Sequence, residues 1–213
     1  MRWVTYFAVL ASVLSVGLAL GVSMPLVSFR LESWGYGGFA IGVMAAMPAI
    51  GVLVGASVAS KLAARVGTPA LMRLCLWAGA LSIGVLALLP SYPVWLVLRL
   101  LIGVVLTVIF ILGESWINQL VVEQWRGRLV ALYGTGYALS QLSGPVLLTF
   151  IGTADNRGFW FSVCLLVGGS LLLLGRTGAP KVDPHSANGR GLFSFCAQLP
   201  AIAWAVSLFA AFE

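Results

Sequence analysis

The chain has 213 residues, of which 61% are hydrophobic and 8% charged, and it carries a net charge of +6. An ordinary soluble domain has about 25% charged residues, so there is too little polar surface here to clothe a water-soluble globule. The twelve Lys and Arg lie singly between apolar runs rather than on one face, which argues against nucleic acid and makes the lipid bilayer the expected partner.

The first apolar run, residues 4–29, is longer than the core of a signal peptide and lacks a clear small-residue cleavage site, so it reads as a retained helix. Five further runs follow at 39–60, 70–89, 94–120, 129–152 and 158–175, each long enough for the roughly 20 residues that cross a bilayer. The fold class is therefore an all-α membrane protein, with residues 1–175 as a six-helix transmembrane bundle. Residues 176–191, containing Pro180, Lys181, Asp183, Pro184 and His185, read as a cytoplasmic central linker. Residues 192–213 restart an apolar run that is still apolar at Phe212, so they read as a truncated seventh helix that opens a second bundle.

Placing the N-terminus in the cytoplasm puts Arg2, Lys61, Arg65, Arg73, Arg126, Arg128, Arg176, Lys181 and Arg190 inside and only Arg30 and Arg157 outside, as the positive-inside rule demands. Cys75, Cys164 and Cys196 sit in or beside apolar segments without metal-type spacing, so no metal site, cofactor or disulfide framework is expected, and the lone His185 reads as a solvated loop residue. The pairs Gly17/Gly21, Gly38/Gly42 and Gly51/Gly55, each spaced by four, place small residues on one helix face where backbones can approach.

Four features inside the spans carry chemistry. Arg99, within the fourth run, either faces a bundle interior or wet cavity with partners, or snorkels to the outer headgroups from its place near the start of the run. Glu114 lies fifteen residues on, too far along the helix to pair with Arg99, and is expected near the inner surface, in a charge network with Arg65, Arg126 and Arg128 or simply solvated. Tyr133, Tyr137 and Gln141 share one face of the fifth helix, which fits either an aqueous cavity or hydrogen bonding between helices. Pro25, Pro48 and Pro145 each remove a helix hydrogen bond, and Gly144-Pro145 is the strongest expected bend.

Six spans, a longer polar linker, a basic loop after the second helix, and Arg99-x-x-x-Gly103 in the fourth resemble the N-terminal half of the major facilitator superfamily. Pro25 near the end of the first helix, Glu114-Ser115 and Arg126-Gly127-Arg128 resemble, within it, the YcaD-like branch of bacterial permeases. Anchored on Arg65 and Gly67, the family's Gly-x-x-x-Asp-Arg-x-Gly-Arg-Arg loop is met at those two positions, with Ser60, Ala64 and Thr68-Pro69 at the others. The antiporter motif of the fifth helix appears as Ser140-x-x-x-Gly144-Pro145. The resemblance implies a bundle of two inverted three-helix repeats facing a second bundle, with the substrate site between them near the midplane. It also implies that helices 1, 2, 4 and 5 face the central cavity, and that Arg99 serves proton coupling.

The expected function is thus a secondary, proton-coupled transporter of an unidentified small molecule in the bacterial inner or plasma membrane. Without the missing C-terminal bundle as partner, the chain is expected to be inactive or a half-transporter. No phosphate-binding Gly-x-x-x-x-Gly-Lys-Ser/Thr loop is present to hydrolyse ATP, and there is no His-Glu-x-x-His, so an enzyme is not expected.

Overall fold

A computed structural model describes residues 3–175, which fold into six helices with no strand among the described residues. They are α1 (Trp3–Ser33), α2 (Gly38–Val66), α3 (Thr68–Leu88), α4 (Tyr92–Leu120), α5 (Arg126–Ile151) and α6 (Arg157–Leu172). The expected linker and seventh helix lie outside the described residues.

The helices end where the sequence supplies punctuation. Gly67, at φ +88°, is the only residue between α2 and α3, and Pro69 follows in the first turn of α3, where its missing N–H costs nothing. Gly152, also at φ +88°, ends α5. Helices α3, α5 and α6 stop one to three residues short of their apolar runs, whereas other ends run beyond them where charged and polar residues complete the terminal turns. Thus α5 begins at Arg126, three residues before its apolar run, directly after a 3-10 turn at Glu123–Trp125.

Of the six runs expected to span, four meet both length and apolarity among the described residues, namely α1 to α4. The reason differs for the other two. Helix α5 is long enough but carries two arginines, Gln141 and several hydroxyls, whereas α6 is apolar but only 16 residues long, about 24 Å. That is short of a hydrocarbon core of about 30 Å.

Helix α1 is the most enclosed element, buried along its length from Thr5 to Leu31 against α5, α6 and α4. The principal helix pairs are α2 with α4, α1 with α5, α1 with α6, α3 with α4, and α3 with α6. Exchanging α1 with α4, α2 with α5 and α3 with α6 maps this set of pairs onto itself, the pattern of two three-helix repeats related by a two-fold axis. The symmetry extends to single residues. On one seam Gly21 of α1 abuts Gly144, beside Pro145 of α5; on the other Gly103 of α4 abuts Pro48 of α2.

At the end where α1 finishes, side chains tie the repeats together. Arg30 donates to Asn156 Oδ1 at 3.2 Å, and Asn156 Nδ2 donates to the Ala87 carbonyl at 2.8 Å. Trp95, fully buried, meets the Trp34 ring at a tilt and the Phe159 ring edge-on, and donates to the Leu89 carbonyl. Helices α2 and α5 are the least covered elements, presenting Leu53, Ile50, Leu142, Val146 and Phe150 outward.

Candidate functional site

Two seams set the positions of the helices that flank the central cleft. A Cβ at Gly17 would meet Tyr137 and Ser140, and one at Gly21 or Gly144 would drive into the facing backbone, so α1 and α5 touch main chain to main chain. Gly51, Gly55 and Gly103 do the same for α2 and α4, at Leu100, Val104 and Pro48. At the third expected pair, Gly38 and Gly42, a Cβ would meet nothing within 4 Å, although Tyr92 of α4 donates to the Ala40 carbonyl between them.

Between the seams lies a cleft of about 430 Å³. Leu20 and Met24 of α1, Pro48 and Val52 of α2, Leu106 and Phe110 of α4 give it an apolar wall, and Thr107, Tyr137 and Gln141 supply its polar groups. Helices 1, 2, 4 and 5 thus share one concave face. Thr107 was not singled out by the sequence reading, although its signal was present: Arg99, Gly103 and Thr107 are spaced i, i+4, i+8 and share a face of α4.

Arg99 does not snorkel. It is 3% exposed, and its Nη2 donates to the carbonyls of Ser23 at 2.9 Å and Met24 at 3.5 Å, the two residues before Pro25. Its Nε and Nη1 are buried with no hydrogen-bond partner among the described residues, and Ser23 Oγ is likewise unpartnered. Arg99 lines a recess of about 210 Å³ together with Met24, Pro25, Ser28, Met44, Ala45 and Pro48. Pro25 therefore sits at the site's edge rather than merely bending α1. Gly144 and Pro145 form the α1/α5 crossing, and Pro145 borders a second groove of about 420 Å³ that also reaches Gln141.

The polar stripe of α5 divides. Tyr137 and Gln141 line the cleft, but Tyr133 is 1% exposed and donates to the Phe110 carbonyl at 2.9 Å, with its ring over Gly113. The interhelical reading holds for Tyr133 alone, because the absent side chain of Gly113 lets its ring fill the space between α4 and α5.

The expected cytoplasmic network is not assembled among the described residues. Arg126 pairs with Glu123 at 2.9 Å across the 3-10 turn, and the Arg128 guanidinium lies 5.4 Å from the Trp125 ring centre. Glu114 is half-buried beside Tyr133 and makes no ion pair among the described residues, and Arg65 and Gly67 are exposed at the α2/α3 junction. The turn that starts α5 gives Arg126 and Arg128 nearer partners than Glu114. No group of three metal-ligating side chains occurs among the described residues.

A family description, Major Facilitator Superfamily, matches residues 9–212. The chain is 24% identical over 201 residues to the uncharacterized MFS-type transporter YfkF of Bacillus subtilis (strain 168), a match covering 93% of this chain and 51% of that protein. Its fold is similar to that of the MFS proton:xylose symporter XylE bound to 6-bromo-6-deoxy-D-glucose, with a TM-score of 0.67 and 17% identity over 82% of this chain and 45% of the symporter. The chain spans about half the length of both.

Proposed function

The chain belongs to the major facilitator superfamily, and on that premise we propose that its bundle forms one wall of a secondary active transporter for small molecules, working by alternating access. The observation that carries this reading is the concave face shared by α1, α2, α4 and α5, where a buried arginine and three hydrogen-bonding side chains sit in an otherwise apolar cleft. The guanidinium ties α4 to α1 through one nitrogen and leaves two without a partner among the described residues, and a transport pathway needs polar groups that lipid cannot satisfy. A second six-helix unit, on the same gene product or another copy, supplies the facing wall, and its rocking against this one exposes the cleft to each side in turn.

We take the N-terminus to be cytoplasmic and the membrane to be the bacterial inner or plasma membrane, on the distribution of Lys and Arg. Proton coupling is part of the proposal, supported by the symporter whose fold this chain shares and by Arg99 at the cleft. None of the described acidic residues, Glu32, Glu114, Glu123 and Asp155, lines the cleft, so the group that carries the proton belongs to the facing wall or to the substrate.

The test is uptake by proteoliposomes containing the natural gene product, offered labelled sugars, organic acids and organic cations under an imposed pH gradient. Uptake of at least one class, abolished by a protonophore, is expected. Uptake that is indifferent to every imposed ion gradient contradicts the proposal.

A further inference from the structure

Resting on the transport reading above, we propose that the Arg99 recess is an anion subsite of the cleft and that the substrate class is an organic anion, an oxyanion joined to an apolar body. Nη2 is the one nitrogen of Arg99 engaged among the described residues, on the carbonyls of Ser23 and Met24. Nε and Nη1 remain buried and unpartnered there, which leaves three N–H donors of a group that stays protonated in proteins. Carbonyl dipoles offset part of the desolvation of a cation but cancel none of its charge. No described acidic residue reaches the recess, so the compensating charge arrives with whatever enters it.

The surroundings define the rest of the ligand. Met24, Pro25, Met44 and Pro48 make most of the wall of the recess apolar, with Ser28 its one hydroxyl, so the field of the guanidinium is less screened than in water and an oxyanion gains more there. The recess of about 210 Å³ shares Met24, Ala45 and Pro48 with the cleft of about 430 Å³, so one ligand can occupy both. Its anionic end meets Arg99, its apolar body lies against Leu106 and Phe110, and Thr107 and Gln141 fix its orientation. A neutral ligand leaves the guanidinium uncompensated, and a cation is repelled by it.

The test uses the natural gene product in a non-ionic detergent, with 4-phenylbutyrate, its neutral amide and its amine as probes in titration calorimetry. The carboxylate is expected to bind at least about tenfold more tightly than the amide, with the amine weaker still. Arg99→Gln removes that preference. Because Arg99→Gln also cuts the bonds to α1, Ala45→Phe supplies a second arm: it fills the mouth between recess and cleft, makes none of the Arg99 hydrogen bonds, and lowers carboxylate affinity about tenfold or more. Equal binding of acid and amide by the unmodified protein overturns the proposal, and is the result if an acidic side chain of the facing wall already neutralises Arg99. Binding of neither probe, or a preference that survives both substitutions, overturns it too. Transport is judged separately by uptake: gradient-driven uptake of a neutral solute with no preference for acids removes the anion subsite and leaves the transporter standing.

Discussion

Arg99 shows how a single buried cation is held by the main chain of a neighbouring helix. Inserting an arginine into a span costs about 2.5–3.5 kcal/mol, and a hydrogen bond from a charged donor returns about 1.5–3 kcal/mol. One well-formed bond to Ser23 and a longer one to Met24 therefore hold the side chain in the bundle without using all its donors. The stripe of α5 makes a sharper test of residue roles. Tyr133→Phe removes a bond to the Phe110 carbonyl, and thermal unfolding in detergent should register a loss of about 0.5–1.5 kcal/mol with substrate affinity unchanged. Gln141→Ala, by contrast, should raise KM with little change in stability, because its side chain faces the cleft. Spacing identified all three stripe residues, but i, i+4 periodicity gives a face and not what lies opposite it. What separates Tyr133 from Tyr137 is one turn of helix and the absence of a side chain at Gly113 on a different helix.

At the scale of elements, the two glycine seams decide how closely α1 approaches α5 and α2 approaches α4. Gly144→Ala would push a Cβ into the Gly21 backbone, which no rotamer change relieves, and should destabilise the protein by about 1–3 kcal/mol. Gly168→Ala, on α6 where a Cβ meets nothing, should be neutral or stabilise by up to about 1 kcal/mol through helix propensity. Comparing the two melting temperatures in one detergent checks this, and similar losses at both sites would contradict the seam. The helices themselves were legible from their apolar runs, although Gly67 and Pro69 were read as positions of a loop motif when they mark the junction of α2 and α3. Less legible was the start of α5, since Arg126 was read as a partner of Glu114 and Glu123 was not singled out, when a 3-10 turn brings Glu123 and Arg126 together. Four-residue spacing found Gly17/Gly21 and Gly51/Gly55 at seams, and also Gly38/Gly42, where a Cβ would meet nothing, because spacing says that backbones can approach and not that they do.

The whole bundle repeats one arrangement twice, with Gly21 on Gly144-Pro145 and Gly103 on Pro48 as matching crossings, and its concave face lies between them. That symmetry was reached in the sequence only through the family resemblance, since the two halves share helix roles and not a readable residue pattern. The central claim is that this face lines a watery pathway while the opposite surface meets lipid. It is tested most directly by cysteine labelling of the natural gene product in its own membrane, after Cys75, Cys164 and Cys196 are replaced by Ser. Single cysteines at Gln141 and Thr107 of the cleft, and at Leu81 on the outward face of α3, are then offered a membrane-impermeant maleimide. Labelling of Gln141→Cys and Thr107→Cys, with Leu81→Cys unreactive, is the expected result. Cleft cysteines as silent as Leu81→Cys, in membranes where a cysteine in an exposed loop reacts, would contradict the account.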